Sequence, residues 1–166
     1  PRLPSPLGAV FVLCPPLDAA GAVMATPKYQ GILFLCTGNS CRSQMAEGFA
    51  RLRMPPSVRV WSAGTAPTGE VHPLAIRAMS EAGVDISGHR SKSLAEIPLY
   101  SVDLVVTVCG TADDACPVPP RTGARIHWPT DDPAKAPGAE EEALAVFRRV
   151  RDELRQRVND LVEGFL

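Results

Sequence analysis

Three residues at fixed spacing carry the most chemistry in this chain: Cys36, Arg42 and Ser43, within Cys36-Thr37-Gly38-Asn39-Ser40-Cys41-Arg42-Ser43. A thiolate is a strong nucleophile, and a guanidinium offers a planar fork of donors suited to a tetrahedral oxyanion. Ser43 is placed to hydrogen-bond the sulfur. Between Cys36 and Arg42 lies turn chemistry: Gly38 takes positive φ freely, and Asn39 tolerates it better than most residues. Such a loop turns successive backbone N–H groups inward and makes a nest for an anion. Beside a helix N-terminus and an arginine, a cysteine pKa falls to roughly 3.5–7.5. The expected chemistry is therefore attack by Cys36 on an oxyanion held by Thr37, Gly38, Asn39, Ser40, Cys41 and Arg42. The nucleotide-binding pattern Gly-x-x-x-x-Gly-Lys-Ser/Thr is absent.

Positioning these groups requires a strand before the loop and a helix after it. Residues 30–36 form a short apolar run of the kind that makes a buried strand. From Arg42 the spacing of Met45, Phe49 and Leu52 predicts an amphipathic helix to about Arg53, stopped by Met54-Pro55-Pro56. Residues 58–62 alternate as a second strand, closed by Ala63-Gly64. A helix is expected over 73–82, with Pro73 at its start and Gly83 just past its end. A short helix is expected within 85–98, a third strand over 103–108 and a brief fourth over 125–128. A loop over 129–138 then leads to a long helix over 140–165. That helix has Leu144, Phe147, Val150, Leu154, Val158 and Leu161 on its apolar face. Its arginines at 148, 149, 151, 155 and 157 alternate with acids and read as solvated surface.

Strands alternating with helices imply right-handed crossovers and a parallel sheet. The fold class expected is α/β, a three-layer open four-stranded parallel sheet flanked by helices. Ligands of such folds bind beyond the carboxyl ends of the strands. Cys36, Cys109 and the Asp131-Asp132 loop all fall at or just after such ends, so they can converge.

The run Cys36-Thr37-Gly38-Asn39-Ser40-Cys41-Arg42-Ser43-Gln44-Met45-Ala46-Glu47 resembles the active-site loop of the low-molecular-weight tyrosine phosphatase superfamily. Its wording is especially similar to the thioredoxin-coupled arsenate reductases, and the resemblance extends from about Lys28 to the C-terminus. It implies that Asp132, in Asp131-Asp132-Pro133, is the general acid that protonates a departing oxygen. Tyrosine phosphatases of the superfamily usually follow this Asp-Pro with aromatics that wall the site against a phenyl ring. Here Ala134 and Lys135 follow, which favours a small inorganic anion.

The resemblance also covers Val106-Thr107-Val108-Cys109-Gly110, with Cys116 at the family spacing. It implies a relay in which Cys36 attacks arsenate, Cys109 attacks the Cys36 sulfur, and Cys116 resolves the disulfide to Cys109–Cys116. Thioredoxin, supplied upstream by thioredoxin reductase and NADPH, then reduces that pair. If 110–116 is helical when reduced, its ends lie roughly 10 Å apart. A disulfide needs about 4.4–6.8 Å, so the segment must unwind to close. Some relatives hold a potassium ion behind the loop with Asn, Glu, Ser and Asp. Asn39, Glu47 and Ser62 match and would support the loop, but Lys92 stands at the aspartate position, which argues against a bound potassium. No tightly bound cofactor and no metal are expected.

Composition fits a single domain: 166 residues, 45% hydrophobic and 21% charged. A net charge of −1 implies neither a nucleic-acid nor a membrane-surface partner. The five cysteines (14, 36, 41, 109 and 116) lack zinc-site spacing and suit redox or nucleophilic use in a reducing compartment. A cytoplasmic monomer is the expectation. Residues 1–27, rich in proline, read as a non-native or disordered leader before a domain over 28–166, with Met24 as the functional start. Two other functions stay open from the residues alone: a protein or small-molecule phosphatase using Cys36, Arg42 and Asp132, and a non-enzymatic thiol or arsenical sensor.

Overall fold

A computed structural model describes residues 26–108 and 123–164. Cys109, Cys116 and the segment expected to switch between them lie outside the described residues, as does most of the expected leader. Four strands, β1 (Gly31–Cys36), β2 (Arg59–Gly64), β3 (Leu104–Thr107) and β4 (Ala124–His127), form one sheet in the order β2-β1-β3-β4. All three pairings are parallel. Three α-helices are found among the described residues, α1 (Arg42–Arg53), α2 (Pro73–Glu81) and α3 (Glu140–Glu163), beside short 3-10 turns. The α/β expectation holds, with each strand within a residue or two of its expected position.

β1 lies in the middle of the sheet and all six of its residues are buried. That explains its continuous apolar reading, since a central parallel strand is covered on both faces. Side chains alternate along it. Ile32, Phe34 and Cys36 face the core built with α1, α2 and α3, while Leu33 and Leu35 join Ala63, Val102, Val105 and Ile97 on the other face. The described cover on that second face comes from two short 3-10 turns, Leu94–Glu96 and Leu99–Ser101. The first of these is the short helix expected within 85–98, wound as 3-10 and not as α. The capping box of Ser93 and Glu96 starts the first turn, and Pro98 cuts it off.

The long helix packs as its sequence predicts, with Leu144, Phe147, Val150, Leu154 and Val158 all buried. α1 departs from its expected amphipathic pattern. Every residue from Arg42 to Ala50 is buried, polar ones included, while Leu52 is 67% exposed. The first two turns are enclosed by the loop, the sheet and α3, whereas the last turn, 51–53, stands outside the packed layers. At the edge of the sheet, Arg51 Nη2 donates to the Val60 carbonyl at 3.0 Å, and Gly64 N–H donates to the Lys92 carbonyl at 2.8 Å. Asp103 anchors the start of β1 by accepting from Gln30 N–H and Gly31 N–H at 2.9 Å each.

Candidate active site

The loop between β1 and α1 has its shape imposed from outside. Its carbonyls point away from the centre and each finds a donor. Cys36 O accepts from Thr65 N–H at 3.1 Å and Thr37 O from Ala66 N–H at 2.9 Å. Gly38 O accepts from Thr68 N–H and from Ser91 Oγ, both at 3.0 Å. Asn39 O accepts from Gln44 Nε2 at 3.1 Å, and Ser40 O from His72 N–H at 2.9 Å. With the carbonyls drawn outward, the N–H edge curls toward the sulfur: Asn39 N–H reaches Cys36 Sγ at 3.1 Å. The one non-glycine residue with positive φ among those described is Asn39, at 47°. Residue type alone favours Gly38 over Asn39 for that conformation. The turn falls on Asn39 because its amide is held by buried partners. Oδ1 accepts from Lys92 N–H at 2.7 Å and from Gln44 Nε2 at 2.9 Å.

Cys36 is 2% exposed, with Ser43 Oγ 2.9 Å from its sulfur. Arg42, 8% exposed, sends Nη1 to the Thr130 carbonyl at 3.0 Å and Nη2 to Asp132 Oδ2 at 3.2 Å. Sequence positions 42 and 132 thus meet across one cleft of about 530 Å³. Cys36, Thr37, Gly38, Ser40, Cys41 and Arg42 form its floor, and Ala66, Thr68, Asp132, Ala134 and Lys135 its rim. Asp132 also caps a 3-10 turn (Pro133–Lys135), Oδ1 accepting from Ala134 N–H at 3.2 Å. The arrangement can hold an oxyanion, attack it with sulfur and present a carboxyl group to it.

Cys41 shares the cleft but not the chemistry. Burial pushes its thiol up to about 12, with Asp132 and Cys36 adding to the rise and the Ser40 hydrogen bond and Arg42 opposing it. It is therefore protonated at neutral pH. The three supporting residues, Asn39, Glu47 and Ser62, lie together behind the loop and are all buried.

Several contributors carry no signal in the sequence. A Cβ on Gly64 would come within 2.5 Å of the Thr37 carbonyl and 3.1 Å of the Asn39 backbone nitrogen, so glycine lets the loop pack on the end of β2. His72 caps α2 through Nδ1, which accepts from Leu74 N–H at 3.1 Å, and its ring packs on Phe147 at 4.8 Å. Four of the α3 arginines are more than solvated surface: Arg148 pairs with Glu81 at 2.7 Å, and Arg151, its side chain 12% exposed, donates to the Ala78 carbonyl at 2.8 Å. Arg149 Nη2 holds Asp131 at 3.1 Å and Arg157 Nη2 donates to the Pro129 carbonyl at 3.2 Å, so both fasten the segment that carries Asp132. A long-range partner of this sort leaves no mark in helical periodicity.

Comparisons with known proteins agree with this geometry. Residues 31–165 match the model of the family described as low molecular weight phosphotyrosine protein phosphatase. A protein of Halalkalibacterium halodurans named arsenate reductase is 52% identical over 132 residues, covering 80% of this chain and 94% of that one. A solved arsenate reductase in its oxidised state superposes with a TM-score of 0.70 at 32% identity, over 82% of this chain and 99% of the other. A thioredoxin-dependent arsenate reductase of Corynebacterium glutamicum superposes at 0.66 and 28% identity, over 86% of this chain and 64% of its own. Loop, cleft and fold thus agree with the sequence match, and the chain belongs to the low molecular weight phosphotyrosine protein phosphatase family.

Proposed function

We propose that this protein reduces arsenate to arsenite, using Cys36, Cys109 and Cys116 in turn, with thioredoxin as the electron donor. One observation carries the reading at the site: Cys36 Sγ lies within reach of Ser43 Oγ and Asn39 N–H, and Arg42 and Asp132 pair across the same cleft. Similarity to arsenate reductases supports the choice of substrate, and the thioredoxin-dependent relative supports the choice of donor.

Cys36 attacks arsenic and forms an S–As(V) bond while Asp132 protonates the oxygen that leaves as water. Arg42 and the loop N–H groups stabilise the charge that develops on the remaining oxygens. The thiolate of Cys109 then attacks Cys36 Sγ. The S–As bond breaks, its electron pair stays on arsenic, and arsenite departs as two thiols become one disulfide. Cys116 attacks the Cys109 sulfur and frees Cys36. A dithiol of thioredoxin reduces the Cys109–Cys116 pair by exchange. Because that donor works in reducing compartments, a cytoplasmic location goes with the reading.

A phosphatase activity is the second reading, favoured by the complete set of Cys36, Arg42 and Asp132. The rim weighs against a phenyl ester, since Ala134 and Lys135 offer no aromatic wall. One experiment separates the two. Arsenite formation with thioredoxin, thioredoxin reductase and NADPH is measured beside aryl-phosphate hydrolysis. Cys109→Ser and Cys116→Ser should each abolish multiple-turnover reduction and leave hydrolysis largely intact. Full thioredoxin-coupled turnover by either variant would exclude the relay.

A further inference from the structure

Behind the loop, a chain of hydrogen bonds runs from the protein edge to the nucleophile, and its polarity can be traced. Glu47 and Ser62 are buried, and the Ser62 hydroxyl donates to Glu47 Oε2. Lys92 Nζ lies 3.6 Å from Glu47 Oε2, 3.4 Å from Ser62 Oγ and 3.1 Å from the Arg90 carbonyl, with its side chain only 17% exposed. Asn39 Nδ2 donates to Ser62 Oγ at 2.9 Å and to Ser43 Oγ at 2.8 Å. Ser43 Oγ meets Cys36 Sγ at 2.9 Å.

A hydroxyl has one hydrogen and two lone pairs. A carboxylate can only accept, so Ser62 spends its hydrogen on Glu47. An ammonium can only donate, and the Asn39 amide supplies its N–H₂ side, so both Ser62 lone pairs are filled. The amide cannot flip, because its oxygen faces Lys92 N–H and Gln44 Nε2. The second amide hydrogen goes to Ser43, whose own hydrogen is left for the sulfur of Cys36. Hydrogen bonds directed at sulfur favour the thiolate. Lys92 therefore acts twice, through its main chain on Asn39 and through its ammonium on Ser62 and Glu47.

We propose that the Lys92 ammonium is a tethered monovalent cation, a positioning group that holds Ser62 and Glu47 at the head of this chain and so keeps the Ser43 hydroxyl aimed at Cys36 without any dissolved ion. The oxygens around Nζ are the kind that would bind potassium. Arg51 already holds the other oxygen of Glu47 at 2.7 Å, so with the ammonium on Oε2 a free cation entering there would meet two like charges. The inference depends on Cys36 as nucleophile, which the reductase and phosphatase readings share.

The test uses Lys92→Met, which keeps the stem and removes the charge. Two quantities are measured, the affinity for inorganic phosphate by calorimetry and the kcat/KM for an aryl phosphate. Each is taken in potassium, ammonium and choline chloride at matched ionic strength. Wild type should respond equally to all three salts. Lys92→Met should lose about ten-fold or more in kcat/KM in choline, the scale of one lost hydrogen bond to a charged group. It should recover most of that loss in potassium or ammonium. Ser62→Ala should show a similar loss without recovery, because its break lies downstream of the cation. Three results would overturn the proposal: a selective potassium gain in wild type, an unchanged Lys92→Met, or a folded Lys92→Met that no small cation restores. The wild-type comparison needs no variant, so a selective potassium gain there overturns the proposal even if Lys92→Met does not fold. Neither quantity depends on arsenate turnover, so failure of the reductase reading would be seen separately.

Discussion

The floor and the rim of the cleft are held by different forces. On the floor, five consecutive carbonyls, from Cys36 to Ser40, are tied to donors elsewhere in the chain, and Cys36, Asn39 and Ser43 are buried to 2% or less. On the rim, Asp132 is 26% exposed and belongs to a segment fastened by arginines. One of these, Arg149, pairs with Asp131 where the two side chains are 59% and 72% exposed. Water and salt reach the surface pair, and they do not reach the contacts among Cys36, Asn39 and Ser43, which are buried. The proposed nucleophile is thus placed by short buried bonds, and the carboxyl group by a few charges with room to adjust. The floor should tolerate almost no change, and the rim should respond in degrees.

The largest effect expected is at the floor. Cys36→Ser should abolish both arsenate reduction and aryl-phosphate hydrolysis, and appreciable turnover in either assay would show that sulfur is not the shared nucleophile. Asp132→Asn should follow, with kcat lowered by about 10²–10⁴, the usual contribution of proton transfer. Since the rim is adjustable, Asp132→Glu should recover part of that loss; if it does not, the rim is as rigid as the floor.

Gly64→Ala probes the floor without touching a reacting group. Its Cβ meets the Thr37 carbonyl at 2.5 Å, so a destabilisation of about 1–3 kcal/mol is expected from overpacking, with weaker phosphate binding. Denaturant midpoints and calorimetry would measure the two. Cys41 gives a pH signature of the same enclosure. Its pKa rises from 9.0 to about 12 in the folded chain, so between those values the native state keeps a proton that the unfolded state has released. The stability this contributes is full below pH 9 and lost as pH rises toward about 12. Alkaline unfolding of Cys41→Ala should be less steep across that window. The smallest effect belongs to the rim's surface pair: Arg149→Gln should change rates by under about two-fold, in keeping with exposed ion pairs. That small effect should fade further in high salt, whereas the Gly64→Ala effect should not.

Much of this is legible in the chain itself. The apolar run before Cys36, the Arg42 helix start and the Asp-Pro after the fourth strand locate the site, because local periodicity and turn residues report local structure. What escapes is set by distant partners. Residue type favours Gly38 over Asn39 for positive φ; the amide contacts from Lys92 and Gln44 decide for Asn39. Leu52 fits the helical repeat, but nothing in the repeat says that α1 outruns its packing there. Gly64 reads as a strand terminator, and its closeness to Thr37 exists only once β2 lies beside β1. Arg149 and Arg157 follow the same charged alternation as their neighbours, and only the folded segment at 129–132 sets them apart.

The outward carbonyls of the floor also bear on whether this site could be moved. Thr65, Ala66, Thr68, His72 and Ser91 hold four of those five carbonyls, and all of them lie outside residues 36–47; only Gln44, on Asn39 O, lies within. A graft of residues 36–47 onto another strand–helix junction would carry the cysteine, the arginine and the serine. It would leave behind the braces that bend the backbone around them. Cut from its setting, the loop should relax and spend its N–H groups on water. The transferable unit is at least 36–92, and a transplant shorter than that would carry the motif without its function.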